Sequence, residues 1–338
     1  MSRRSGFRRL FFRLVLIAFV LLIAAAAGVY VTLAKEYKGF ADEVLIEIPK
    51  HTGTRAIADQ LAKAGVIRNS WQFLVVRAVQ PRAKLQAGEY RFAEPASVWT
   101  VFDRIARGDV VSYDLTVPEG SNMFDIAALV EKFGVVQGDF LKEARIAAPI
   151  HDLAPRAATL EGYLFPATYR LTRGMTASQV ARMMTDTFRK RWQQLVKPGQ
   201  AVDVNKIVTM ASLVEKETGV PDERPKVAGV FTNRLRTGML LDCDPTTIYA
   251  AMIENRYHGT IHKSDLESQS PYNTYQHAGL PPGPIANPGV ASLKAALAPA
   301  DTTYLFFVAK GDGSGGHHFS STIAEHNKAV AAYRRTQK

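Results

Sequence analysis

Cysteine is almost absent from this sequence: Cys243 is the only one in 338 residues. That excludes an intramolecular disulfide framework and any multi-cysteine metal site, and it leaves the compartment open. Histidine does not make up the lack. The adjacent pair His317-His318 has no spacing that would put two imidazoles on one helical face, so no metal site is expected. Acidic residues are few beside basic ones, 31 against 42, for a net charge of +11. Five of the positive charges (Arg3, Arg4, Arg8, Arg9 and Arg13) crowd the first thirteen residues with no acid among them. The mild excess that remains is compatible with an anionic polymer or a membrane face, but a solvated surface of mixed charge accounts for it better. A nucleic-acid recognition motif is missing, as is any dense basic run interleaved with aromatics, so nucleic acid is not an expected partner. Also missing is a Ser/His/Asp, Cys/His or zinc constellation of the kind a protease or amidase needs. The run Gly311-Asp312-Gly313-Ser314-Gly315-Gly316 resembles a phosphate loop only superficially; a hairpin turn accounts for it. What remains, 47% hydrophobic and 22% charged, is ordinary for a folded chain long enough for two or three compact units.

Charge is missing altogether from Leu14 to Leu33, twenty residues reading LVLIAFVLLIAAAAGVYVTL. At 1.5 Å per residue such a helix spans about 30 Å, the thickness of a hydrocarbon core. The arginines before it, against the mixed Lys35, Glu36 and Lys38 after it, place the N-terminus in the cytoplasm. A cleaved signal peptide is the rival, since Ala24-Ala25-Ala26 offers the small residues such sites use. The uncharged run is long for a signal segment, which favours a single-pass anchor in the cytoplasmic membrane. Either way the remainder is exported.

Beyond the anchor the chain repeats itself. Ile48-Pro49-Lys50-His51-Thr52, Ile57-Ala58, Leu61 and Gly65-Val66-Ile67 recur 69 residues later without a gap. The second copy reads Val117-Pro118-Glu119-Gly120-Ser121, Ile126-Ala127, Val130 and Gly134-Val135-Val136. In each copy a β-branched strand ends at proline, a polar residue near the turn can cap a helix, and apolar residues four apart bury one helical face. A glycine then ends that helix. A second helix follows, through Trp71-Phe73-Leu74 or Phe140-Leu141, and then a strand, Gly88–Phe92 or Thr168–Leu171. This strand–helix–helix–strand unit resembles the LysM module, which implies binding of N-acetylglucosamine polymers; a spacer that keeps the fold without the sugar site reads equally well.

From about residue 201 the pattern changes. Val204 to Thr218 reads as a helix with apolar Ile207, Val208, Ala211 and Val214, and Arg224 to Thr237 as another. Pro245 to Met252 is a possible third. A turn-rich region from Ser264 to Pro288 is long enough to form a site. Tyr304–Val308 and His317–Ser320 flank a glycine-rich turn and read as a hairpin, with a short helix through His326 and Tyr333 after it. Two carboxylates, Glu215 and Glu217, interrupt the end of the apolar helix. A glutamate held against apolar neighbours is pushed toward neutrality, which suits a general acid. Periodicity puts Glu215 on the Ile207/Val208/Ala211 face and Glu217 between Met210 and Leu213, so it does not choose between them. On pattern alone a solvated Glu-Lys-Glu helix end accounts for both.

Ala-Ser-Leu-Val-Glu-Lys-Glu-Thr at 211–218 resembles the signature of the endolytic murein transglycosylase, or YceG-like, family. The likeness continues in order through Val230-Phe231-x-Asn233-Arg234-Leu235, Gly238-Met239-x-Leu241, Asp244-Pro245-Thr246 and Tyr272-Asn273-Thr274-Tyr275. It runs on through Gly279–Ile285, Asn287-Pro288-Gly289, Tyr304-x-x-Phe307-Val308, His318-Phe319 and His326-Asn327, with Glu161-Gly162-x-x-Phe165-Pro166 upstream. The resemblance covers almost the whole chain after the anchor. It implies that Glu217 is the catalytic acid/base of a lytic transglycosylase that cuts peptidoglycan strands non-hydrolytically, with no metal or cofactor. It further implies action beside the peptidoglycan synthases as a terminator of strand elongation. Tyr272, Asn273 and Thr274 are candidates for holding sugar hydroxyl or acetamido groups, although asparagine also serves turns. Glu161 is a candidate to line the cleft or to orient Glu217, and equally one to cap a turn. Glu215 and Asp244 are candidate supporting partners, and Cys243 is taken as a small spectator. The alternative function is a non-catalytic glycan-binding scaffold of the synthesis machinery.

The expected fold is α+β: a basic tail (1–13), a transmembrane helix (14–33), a LysM-like module (43–110) and a mixed catalytic domain (111–338) with the second repeat (111–175) embedded in it.

Overall fold

The structure is a computed structural model that describes residues 3–197, 199 and 201–336. Residues 1 and 2 of the expected basic tail, and 337 and 338 at the end of the expected catalytic domain, lie outside the described residues, as do 198 and 200. The fold is mixed α+β, as the sequence patterning requires. Two compact units are present: the first runs through Ser112 and includes Thr172–Gly174, and the second comprises Tyr113–Leu171 and the chain from Met175 onward.

The first unit begins with α1 (Arg3–Ala34). Its stretch Phe11–Ala34 reaches a mean hydropathy of 2.8 and is exposed apart from Leu33, and it is the one helix among the described residues long and apolar enough to cross a membrane. Then follow β1 (Val44–Ile48), α2 (Thr54–Lys63), α3 (Ser70–Val79), β2 (Gly88–Phe92) and α4 (Val98–Arg107). β1 and β2 pair antiparallel with Val44 opposite Phe92 and Ile48 opposite Gly88. Ile57 and Leu61 of α2 and Phe73 of α3, from the expected pattern, are buried in one core with Ile48 and Phe92, and Val76 of α3 and Phe102 of α4, a helix the pattern did not include, complete it. Ser97 caps α4 by accepting the Thr100 N–H, and Gly108 ends that helix in the left-handed conformation.

β3 (Ser112–Thr116) begins at the last residue of the first unit's main run and passes into the second, which continues with α5 (Met123–Phe133), β4 (Val136–Gln137) and α6 (Phe140–Ala144). It continues with β5 (Thr168–Thr172), β6 (Met175–Thr176), α7 (Ala177–Leu195), α8 (Val204–Glu217), α9 (Arg224–Thr237) and α10 (Asp244–Ile253). It closes with α11 (Lys263–Leu266), α12 (Val290–Leu297), β7 (Phe306–Ala309), β8 (His317–Ser320) and α13 (Ile323–Thr336). β3 neighbours β5, β4 pairs parallel with β6, and β7 pairs antiparallel with β8. α8 is the central element: Val208, Ala211, Leu213 and Val214 are buried in one core with Phe188, Phe231 and Leu293 of three other helices. Chain threads close against α8. A Cβ at Gly162, where φ is +86°, would lie 2.5 Å from Pro284 and 2.7 Å from Val208. Only glycine tolerates both that conformation and that contact. Gly162→Ala should therefore destabilise the second unit by more than the usual 1 kcal/mol or so of a strained glycine position, read as a drop in Tm.

Candidate active site

The site is built around the C-terminal end of α8. The helix starts where Asp203 accepts the Lys206 N–H, and it ends at Glu217, with Thr218 extended beyond it. It is pinned in mid-length by Ser212, which donates to the Thr209 carbonyl at 2.7 Å and accepts the Ile285 N–H at 3.1 Å. Glu217 and Glu215 lie two residues apart on this helix, and at 100° per residue they face different ways.

Glu217 is partly buried, and burial is the main reason its carboxyl is held above the ordinary carboxylate range. A hydrogen bond from the Cys243 thiol opposes that rise, Asp244 adds to it, and His317 and Arg234 oppose it. The balance favours the protonated acid. Cys243 is thus a partner of Glu217, which corrects its assignment as a spectator. It is buried just ahead of α10, where its N–H donates to Thr274 Oγ1 at 3.0 Å and its carbonyl accepts from Thr246 Oγ1 at 2.7 Å. Burial, then the neighbouring Glu217, pushes its thiol well up, so it stays protonated and can donate.

Glu215 turns into a separate buried cluster. Its side chain is 5% exposed, with Oε1 3.3 Å from the Arg224 guanidinium and Oε2 accepting the Gly289 N–H at 2.9 Å. Glu119, itself exposed, lies beside this cluster; partial burial and then Glu215 raise its carboxyl, with Arg224 opposing. Lys216 donates to the Gly120 carbonyl at 3.2 Å, so the Glu119-Gly120 turn straps the last turn of α8.

Glu161 is 1% exposed and spends its carboxylate inside the protein. Oε2 accepts from the Met123 N–H and the Tyr249 hydroxyl, both at 2.9 Å, and Oε1 accepts from Asn287 Nδ2 at 2.9 Å. Asn287 in turn donates to the Ser121 carbonyl and accepts the Leu164 N–H. Asn273 and Thr274 are likewise enclosed. The Asn273 amide caps the carbonyls of Leu266 and Ser268 at 3.0 and 2.8 Å, and Thr274 Oγ1 is 2.9 Å from Thr246 Oγ1. In the structure the polar atoms of Glu161, Asn273 and Thr274, expected as candidate substrate-binding residues, are engaged by partners within the protein. Tyr272 keeps partial exposure and packs its ring 5.2 Å from Tyr249. Asp244 is exposed at the start of α10, where Oδ1 accepts from the Tyr275 hydroxyl at 2.5 Å.

Arg234, at the end of α9, ties this ground together. It donates to the Leu305 carbonyl at 2.7 Å, to the Leu240 and Leu241 carbonyls at 3.1 Å, and to Asp242 at 3.0 Å. One guanidinium thus fixes the approach to β7 and the segment that delivers Cys243. Beside the hairpin, Glu223 accepts both the backbone N–H and the ring Nδ1–H of His317, at 2.8 and 2.7 Å. The sequence patterning did not single out Glu223 or His317. Alternation along β8 carried a faint signal, since His317 is half-buried and His318 exposed. A cavity of about 660 Å³ opens along the N-terminal half of α8, lined by Arg156, Lys206, Thr209, Leu235, Leu280 and Pro282 among others.

A family model described as the YceG-like family matches residues 46–332. The chain belongs to the YceG-like family. An endolytic murein transglycosylase of Bacillus subtilis (strain 168) is 34% identical over 310 residues, covering 86% of this chain and 84% of that protein. One of Streptococcus pneumoniae (serotype 2, strain D39) is 28% identical over 326 residues, and the match spans 86% of this chain and 58% of the streptococcal protein. A 2.6 Å crystal structure of a yceG-like protein from Listeria monocytogenes superposes with a TM-score of 0.55 at 32% identity, covering 86% of this chain and 99% of that one. For this YceG-like chain the family match takes in both units, from β1 to α13.

Proposed function

We propose that this chain is an endolytic murein transglycosylase with Glu217 as its acid/base. The observation that carries this is Glu217 itself: a carboxyl at a helix end, kept toward its protonated form by burial, in a chain 34% identical to a protein named for that activity. As an acid, Glu217 gives its proton to the glycosidic oxygen between N-acetylmuramic acid and N-acetylglucosamine, and the C1–O bond breaks. As a carboxylate it then takes the proton of the muramoyl C6 hydroxyl, whose oxygen closes on C1. The product is a 1,6-anhydro end, no water is consumed, and the proton returns to Glu217. Because the nucleophile belongs to the substrate, one enzyme carboxylate suffices, unlike the paired carboxylates of hydrolytic glycosidases. This chemistry makes the enzyme a carbon–oxygen lyase and requires neither metal nor cofactor.

Around that centre Tyr272 is the candidate to touch the sugar, while Asp244 and Glu215 support the end of α8. The strand–helix–helix–strand part of residues 43–110 serves as a LysM-like module, either for glycan or as a spacer, and residues 111–338 form the catalytic domain. The helix Phe11–Ala34 supports a single-pass anchor, with the arginine-rich end in the cytoplasm and the rest outside. There the enzyme would meet nascent strands beside the synthases. The full chain, purified in detergent and incubated with isolated peptidoglycan, should release fragments with anhydromuramoyl ends, identified by mass. Fragments with only reducing ends, or none, would overturn the proposal in favour of hydrolysis or of a binding scaffold.

A further inference from the structure

The proposed reaction makes no use of one apolar surface on the first unit. Helix α3 turns Gln72, Phe73 and Val76 inward. At about 100° per residue its opposite side presents Trp71, Leu74, Val75, Ala78 and Val79, with no charge among them. Leu74 and Val75 are half-buried, Ala78 is exposed, and Trp71 and Val79 are 45% and 63% exposed. Arg77, beside the stripe, reaches past the helix end and donates to the Gln80 carbonyl at 3.2 Å. A continuous apolar stripe on an exposed helix marks a face that is covered when the protein works.

The neighbour of this helix is the end of α1. Leu33 lies in the core of the first unit, 2% exposed, and the Thr32 carbonyl accepts from Gln72 Nε2 at 3.4 Å. The chain that follows is fastened down. Tyr37 and Ala96 exchange both backbone hydrogen bonds at 3.1 and 3.2 Å, and the Gly39 N–H donates to the Gly65 carbonyl at 2.9 Å. Lys38 Nζ donates to the Ala93 carbonyl at 2.7 Å. At 1.5 Å per residue Phe11–Ala34 is about 36 Å long, against a hydrocarbon core of about 30 Å. Its last turn, with Thr32 and Leu33, therefore stands at the hydrocarbon boundary when the helix spans, and Gln72 brings the first turn of α3 to that level. Trp71 sits in that turn, and tryptophan is a side chain that gathers at this depth. Exposed cations flank the stripe, Arg68 before it and Arg82 and Lys84 after it.

We propose that α3 is an interfacial helix, its stripe from Trp71 to Val79 resting in the headgroup region of the bilayer that α1 crosses, with Arg68, Arg82 and Lys84 toward the lipid phosphates. This rests on reading α1 as a membrane span. Lipid is favoured over a protein partner because the stripe starts where α1 leaves the hydrocarbon and its flanks are positive. The fastened segment after α1 and this footing together hold the first unit at one height above the membrane, with no swing on a linker.

The test uses the full chain in phosphatidylcholine–phosphatidylglycerol nanodiscs whose acyl chains are brominated near the headgroup. Of the three tryptophans, Trp71, Trp99 and Trp192, the first is read by difference from Trp71→Phe. Its emission should fall about twofold or more relative to unbrominated discs, and aqueous iodide should quench it little. Val79→Trp, at an exposed position, adds a probe at the far end of the stripe; it should be quenched likewise and decides the matter if Trp71→Phe does not fold. A Trp71 that iodide reaches and bromine does not would overturn the proposal. One shielded from both would overturn it in favour of a protein-covered face. Protein that alkaline carbonate strips from vesicles would instead overturn α1 as a span, so the two failures are distinguishable.

Discussion

Glu217→Gln should lower the release of anhydro-ended fragments by about 10²- to 10⁴-fold, the usual range for a positioned acid/base. Glutamine keeps the shape and can still accept from the Cys243 thiol, but it has no proton to give and cannot take one. The folded state should lose nothing. Burial disfavours an ionised Glu217, so a neutral amide relieves a strain that grows with pH, and Tm above neutrality should stay level or rise. Wild-type activity should fall as pH rises through the raised Glu217 value, because the competent form is the protonated one. A Glu217→Gln enzyme that still cuts at the wild-type rate would remove the assignment. Loss of Tm together with activity would mark Glu217 as structural.

The second large effect belongs to Glu161 and concerns stability. Its carboxyl is fully enclosed and raised to about 7, chiefly by burial, against the hydrogen bonds from Met123 N–H and the Tyr249 hydroxyl that favour the ionised form. An ordinary carboxylate near 4.5 in the unfolded chain and one near 7 in the folded chain differ by about 3 kcal/mol of linked stability. The sign follows from proton binding. Between these values the folded state holds more protons, so this contribution is fully present below about pH 4.5 and is lost as pH rises to about 7. Glu161→Gln should remove that slope from urea unfolding curves. Glutamine also offers one acceptor oxygen where three donors converge, so it should cost about 1–3 kcal/mol at pH 5, and Glu161→Ala more. Retained urea midpoints in both variants would show that the Glu161–Asn287 junction does not hold the fold. Residual activity of folded Glu161→Gln should stay within about tenfold of wild type, in contrast to Glu217→Gln.

Much of the architecture was legible in local pattern. The uncharged run after five arginines gave the apolar helix, because a hydrocarbon-length segment without charge has few other uses. Spacing of apolar residues placed α8 and α9 to within a residue of their observed ends, and the glycine-rich turn between two β-branched or aromatic runs placed the hairpin. Family likeness in ordered motifs singled out Glu217, where periodicity left Glu215 equally open.

The sequence by itself therefore determined the elements, the apolar N-terminal helix and a short list of polar residues in the later loops. Tertiary structure alone decided what each of those polar residues does. Asn273, Thr274 and Glu161 stand in motifs that look like a sugar site, yet their polar atoms are engaged by backbone groups and, for Thr274 and Glu161, by neighbouring side chains as well. Cys243 and His317 reach the neighbourhood of Glu217 only because Arg234 and Glu223 fix the segments that carry them, 26 and 100 residues away in sequence. Local patterning reports which face of an element is buried. Whether a buried polar atom serves a ligand or a loop depends on which distant backbone comes to meet it, and that is settled only when the chain closes on itself.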